Sequence, residues 1–115
     1  MFLLTEQAVR WRRTTPDVMA DQLDRMAEIS TKPTVDVAVI PRHAEVHGSP
    51  MNVFVTYDDR LVVVELFSGE VVLRDRRDIR YHLELFDFFL SHALTGDDAT
   101  RFLLSVRDEF MQERG

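Results

Sequence analysis

Val53-Phe54-Val55-Thr56-Tyr57-Asp58-Asp59-Arg60-Leu61-Val62-Val63-Val64-Glu65-Leu66-Phe67-Ser68-Gly69-Glu70-Val71-Val72-Leu73 is the stretch that decides the fold. β-Branched and aromatic residues fill three runs, 53–57, 61–67 and 71–73, and turn formers separate them, Asp58-Asp59 first and Ser68-Gly69 second. The pattern predicts a hairpin extended by a third antiparallel strand. Leu61-Val62-Val63-Val64 is apolar on both faces, as expected of a central strand covered on both sides. Side-chain alternation puts Glu65 on the same face as Leu61, Val63 and Phe67.

Upstream, Phe2-Leu3-Leu4 reads as a short strand running into Thr5-Glu6-Gln7-Ala8, where Thr5 can cap a short helix reaching about Trp11. Thr15-Pro16-Asp17 repeats the signal, with Thr at the cap, Pro at the first helical position and an acid in the first turn. Met19, Leu23, Met26 and Ile29 then recur at helical spacing until Lys32-Pro33 ends the helix. Val35, Val37 and Val39 alternate until Pro41 stops a strand, and a loop rich in turn formers follows through Gly48-Ser49-Pro50. Downstream of the meander, charged residues at 74–80 lead into a helix with Ile79, Leu83, Phe86 and Leu90 on one stripe. Leu85, Phe88 and Phe89 add more apolar surface than one sheet face can cover. Thr95-Gly96-Asp97 breaks the chain, and Ala99, Phe102, Leu103, Val106 and Phe110 mark a last amphipathic helix.

Strands and helices come in blocks, which predicts an α+β fold. The first strand, the two helices and the strand at Val35 form a crossover that sets those strands parallel, and the later strands add an antiparallel meander. The expectation is one mixed, mainly antiparallel sheet of about five strands, with helices packed on it and the last two helices paired. At 115 residues, the chain is expected to be a single domain, 1–115.

Composition narrows the chemistry. There is no Cys, so disulfides, thiolate metal sites and Cys nucleophiles are excluded, in keeping with a reducing compartment. Twenty acids against fourteen bases give a net charge of −6, which disfavours a nucleic-acid surface. Lys32 is the only lysine. No run approaches the roughly 20 apolar residues of a membrane span, and the apolar Met1-Phe2-Leu3-Leu4 start lacks the basic region of a signal peptide. A strand beginning at the first residue leads us to expect natural chain upstream.

Few residues carry a chemical signal. His43 and His47 have ligand spacing around Glu45, but Pro41 and the Gly-Ser-Pro cluster deny them a helix and no third ligand is near, so no metal is expected. Arg10-Trp11-Arg12-Arg13 combines cations with an aromatic ring, a pairing that suits phosphates and bases. The acidic balance argues instead that Trp11 half-covers a sheet edge or sits at a protein interface, where Trp and Arg are enriched. Glu65 lies in an apolar strand, so it should reach solvent, pair with an Arg, or contact a partner or ligand. Ser49, Ser68, Ser91 and Ser105 lack a nucleophile elbow, and the four Gly form no phosphate loop. His82 and His92 are expected to cap the core edge of the aromatic helix. Neither an enzyme nor a cofactor is expected. The residues retained for partner or ligand contact are Arg10, Trp11, Arg13, Glu65, Phe67, Leu85, Phe88 and His92.

Several strings then resemble one family in order. Leu4-Thr5-Glu6-Gln7-Ala8-Val9-Arg10 is similar to an LTEAALR opening, and Val18-Met19 with Gln22-Leu23 to a VM..QL helix. The strand ending in Val39-Ile40-Pro41 resembles V.VIP, Val63-Val64-Glu65 resembles VV.VE, Leu73-Arg74-Asp75 with Asp78 resembles LRD..D, and Ala93-Leu94 an AL pair before the last helix. The family is the C-terminal domain, of unknown function, of antitoxin-like XRE-type helix-turn-helix transcriptional regulators of actinobacteria. The resemblance implies a cytoplasmic regulator in which an upstream module binds DNA and this part receives a signal, from a small cognate partner protein encoded nearby or from a small molecule. No helix-turn-helix is present in this chain, so the domain is expected to be either excised from its parent or separated from a lost module. The reading that follows is a signal-receiving, protein-interaction domain that forms a homodimer through the apolar excess of the helix at 83–90. The alternative is a sensor with a pocket between sheet and helices, its polar groups being Glu65 and Arg10 or Arg12.

Overall fold

In a computed structural model, which describes residues 1–44, 53–66 and 68–114, Thr5 ends a strand and starts a helix. Strand β1 (Phe2–Thr5) runs into α1 (Glu6–Arg10), and the Thr5 hydroxyl accepts from the Ala8 amide at 3.2 Å. Helix α2 (Pro16–Ser30) begins with proline at its first position, as the sequence implied, although Thr15 supplies only its carbonyl and makes no side-chain cap. After β2 (Val37–Ile40) come β3 (Phe54–Tyr57), β4 (Leu61–Leu66) and β5 (Gly69–Leu73), then α3 (Arg76–Leu90) and α4 (Gly96–Arg114). The Asp75 carboxylate caps α3, accepting from the Arg77 amide at 2.8 Å. Two turns use left-handed backbone: Asp58 has φ 52° between β3 and β4, a conformation Asp tolerates, and Gly96 has φ 54° at the start of α4.

The five strands form two sheets where the sequence led us to expect one. β1 pairs parallel with β2, Phe2 opposite Val37 and Thr5 opposite Ile40. β3, β4 and β5 form a separate antiparallel meander. The chain divides into two compact units, one made of Met1–Ala44 with His92–Gly115 and the other of Glu45–Ser91.

In the first unit, the stripes of α2 and α4 pack against each other and against the parallel pair. Met19, Leu23 and Ala27 lie one helical turn apart, and Leu103, Val106 and Phe110 answer them from α4, with Val9, Val37 and Val39 completing the core. Leu23, Val39, Leu103 and Val106 are fully buried. The stretch before α4 adds an antiparallel bridge to the other edge of β2, Val39 and Leu94 exchanging bonds of 3.0 and 2.7 Å. With neighbours on both edges and helices over it, β2 buries all four residues, which is why Ala38 and Ile40 are as hidden as the alternating valines. Polar links tie the helices at the rim, Ser30 to Thr100 at 2.7 Å and Arg107 to Asp24 at 2.6 Å.

In the second unit, α3 lies on one face of the meander and packs on β3 and β4. Among its described residues Val62, Ile79 and Phe89 are buried, and the His82 ring meets Phe54 edge-on at 5.1 Å. The last two helices, expected to pair with each other, therefore take other partners: α2 for α4, and the meander for α3. Periodicity marked both apolar stripes but could not say which surface each would cover. β4 is central, as expected; on its α3 face Val62 is buried and Val64 half-buried, while Leu66 at its end is 46% exposed.

Candidate functional site

Glu6 is the one charged residue buried among the described residues, 3% exposed at the start of α1. Its Oε1 accepts the Arg42 amide at 2.8 Å and its Oε2 accepts the Arg10 Nε–H at 2.6 Å, with the Arg42 guanidinium 3.5 Å away. Arg10 continues the chain of charges to Glu109 on α4 and lies over the Phe102 ring at 5.8 Å. Burial alone pulls the Glu6 carboxyl upward, but the Arg42 amide and the Arg10 guanidinium outweigh it and hold the group below its ordinary 4.5. Arg10 is raised, chiefly by its hydrogen bond to Glu109. Sequence reasoning read Glu6 only as an acid suited to the start of the helix and Arg10 as a residue for partner or ligand contact. The structure uses both to fasten α1 to the end of β2 and to α4. The i,i+4 spacing of Glu6 and Arg10 was the available signal.

Arg12 is ion-paired with Glu113 at 3.4 Å. Trp11 does not cover a sheet edge: α1 ends at Arg10, Trp11 takes extended backbone, and its side chain is 67% exposed. Arg13 has a different setting. Its Nη2 donates to the Ala8 carbonyl at 3.4 Å, and no carboxylate among the described residues pairs with it. It stands at a cleft of about 240 Å³ between α1 and α2, floored by Val9, Met19 and Leu23, with Arg13, Thr14 and Gln22 exposed around it. This cleft is confined to the first unit, so it is not the pocket between the meander and the helices that the alternative reading required.

Glu65 is exposed, with no ion pair among the described residues, so the structural Arg partner considered for it is absent there. The register puts Glu65 directly opposite Glu70, and Val55, Val63 and Val72 in one row across the same face. Tyr57 and Leu61 lie beyond that row, and Val53, whose carbonyl accepts the Glu65 amide at 2.8 Å, lies on the acidic side. This face is turned away from α3 and is largely open: Val53, Val55, Tyr57 and Val72 are 63, 42, 55 and 44% exposed. The expected two-sided cover of β4 is not found among the described residues. Two like charges placed opposite each other on a sheet oppose pairing of the strands that carry them.

On α3, Phe89 and Ile79 are buried, Leu83, Leu85, Phe86 and Leu90 are half-buried, and Phe88 is 40% exposed and edge-on to Phe89 at 5.5 Å. The helix thus hides more of its stripe than the sequence suggested, and the broader open apolar surface belongs to the sheet. His92 is half-buried just beyond α3, and His43 is exposed. Glu45, His47 and Phe67 lie outside the described residues. Among those described, no group of three or more His, Asp or Glu side chains is placed to hold a metal ion, and no helix is long and apolar enough to cross a membrane.

No curated protein and no solved structure matches the chain. One family model does, over residues 1–105, which takes in the meander face and the cleft beside Arg13. The chain belongs to the DUF5753 family, a domain of unknown function.

Proposed function

We propose that this chain is a signal-receiving, protein-interaction domain that acts by binding rather than catalysis, and that a second copy docks on the open face of the β3–β4–β5 meander. The observation that carries the reading is the row of exposed Val55 and Val72 on either side of half-buried Val63, flanked by exposed Val53 and Tyr57. Contiguous open apolar surface usually marks an interface. Charge placement supports a second copy. Glu65 and Glu70 lie at one end of the face, and exposed Arg60 and Arg74 lie at the other, beside Leu61 and Leu73. A two-fold pairing with strands antiparallel brings each acidic end over the arginine end of its mate. Asp58 and Asp59 share that turn, so the gain is confined to direct guanidinium contact.

The resemblance to XRE-type regulators extends the reading. DNA would be bound by a helix-turn-helix module outside this chain, and dimerisation or a cognate partner would change how paired modules are presented. Light scattering across a concentration series tests the proposal. The wild type should reach the mass of a dimer, and Val55→Lys with Val72→Lys should stay monomeric with an unchanged circular-dichroism spectrum. A monomer at high concentration, or a dimer that survives both substitutions, overturns it. A small-molecule sensor is the second reading, and the cleft beside Arg13 is the observation that favours it.

A further inference from the structure

Of the three arginines at 10–13, two are engaged by carboxylates of α4: Arg10 by Glu109 and Arg12 by Glu113. Among the described residues, Arg13 pairs with no carboxylate; it donates to the Ala8 carbonyl at 3.4 Å and lines the cleft between α1 and α2. Half-buried Leu4 and Met26 line it above a floor of buried Val9, Met19 and Leu23, and the flexible Met26 thioether can adapt to a hydrocarbon chain. Polar groups are confined to Arg13, Thr14 and Gln22. Thr14 lies two residues before α2, whose first turn carries Asp17 and has no side-chain cap from Thr15, so Arg13 is the cation at the cleft. The cleft, about 240 Å³, falls just below the usual range for ligand pockets of roughly 300–1,000 Å³ and so suits a small ligand.

We infer that this cleft binds a medium-chain monocarboxylate, its tail along half-buried Leu4 and Met26 and its carboxylate on Arg13. A guanidinium presents paired N–H donors that match the two oxygens of a carboxylate, whereas an apolar floor with no second cation gives no place for a dianion. The inference rests on the sensor reading and specifies its ligand class. It is independent of docking on the meander face.

The test is an NMR titration of the full 115-residue chain, with ¹³C-methyl-labelled methionine, against octanoate, 1-octanol and acetate. Octanoate should shift the Met19 and Met26 methyl signals saturably, and should bind about tenfold or more tightly than 1-octanol, while acetate binds weakly for want of a tail. Arg13→Gln should weaken octanoate about tenfold and leave 1-octanol unchanged. Ala8→Trp, at an exposed position on the cleft wall, should abolish both while the helical signal is retained. Equal affinity for octanoate and 1-octanol, or octanoate binding that Arg13→Gln does not weaken, overturns the carboxylate assignment and leaves the sensor reading standing. No saturable shift with any probe, or binding that survives Ala8→Trp, overturns the cleft as the site and removes the observation on which the sensor reading depends.

Discussion

Replacing Glu6 is the sharpest probe of how the first unit is held together. Glu6→Ala removes two charge-assisted hydrogen bonds, from the Arg42 amide at 2.8 Å and the Arg10 Nε–H at 2.6 Å, each worth about 1.5–3 kcal/mol. Two terms reduce the loss. The desolvation of a 3%-exposed carboxylate is relieved, and Arg10 keeps Glu109, so no buried cation is orphaned. The Arg42 amide does lose its acceptor. A net destabilisation of about 2–4 kcal/mol follows. Glu6→Gln keeps an oxygen for that amide and should lose about half as much.

The pH dependence has a definite sign. The folded pKa of Glu6 is below 4.5, so its contribution is complete above that value and is lost as pH falls through the folded pKa. The gap between wild type and Glu6→Gln should therefore be full at neutral pH and close on acidification below 4.5, because a protonated Glu6 resembles the glutamine. Urea unfolding of both proteins, followed by circular dichroism at neutral and acid pH, measures the difference. Other carboxylates titrate equally in both and cancel. A change under about 0.5 kcal/mol for Glu6→Ala, the size of an ordinary surface substitution, would refute the reasoning. So would a gap to Glu6→Gln that persists in acid.

Two further substitutions separate core from surface. Leu103→Ala, at a fully buried position between α2 and the parallel strands, should destabilise by about 2–5 kcal/mol in the same unfolding assay. Phe88→Asp should weaken the edge-on contact with Phe89 by about 1 kcal/mol and leave the solution mass of the protein unchanged, because the docking face is the sheet. A monomer produced by Phe88→Asp in light scattering would transfer the interface to α3.

Local chemistry was the legible part of this sequence. Thr5, Pro16, Pro41 and the Ser68-Gly69 turn each carry a stereochemical instruction that needs no distant partner, and the elements begin and end near them. The stripes holding Met19 and Leu23 and holding Leu103, Val106 and Phe110 were equally visible, since a helical period reports a buried face, although Ala27 takes the buried place beside half-buried Met26. What that period cannot report is the surface that buries the face. Hence α4 was given α3 in place of α2, and five strands were gathered into one sheet in place of two. The candidate site suffered from the same gap. The acid four residues earlier, Glu6, separates Arg10 from Arg13 locally, but the second partner of Arg10, Glu109, lies 99 residues away and has no local signal. Glu65 was rightly placed with Leu61 and Val63 by alternation, but its opposition to Glu70 depends on strand register.

The docking of a second copy on the meander is tested most directly by intermolecular nuclear Overhauser effects in a mixture of isotope-labelled and unlabelled chain. The methyl groups of Val55, Val63 and Val72 should show contacts across the dimer, accompanied by Tyr57. Cross-peaks confined to other residues, or none from a protein that scatters as a dimer, would contradict the account.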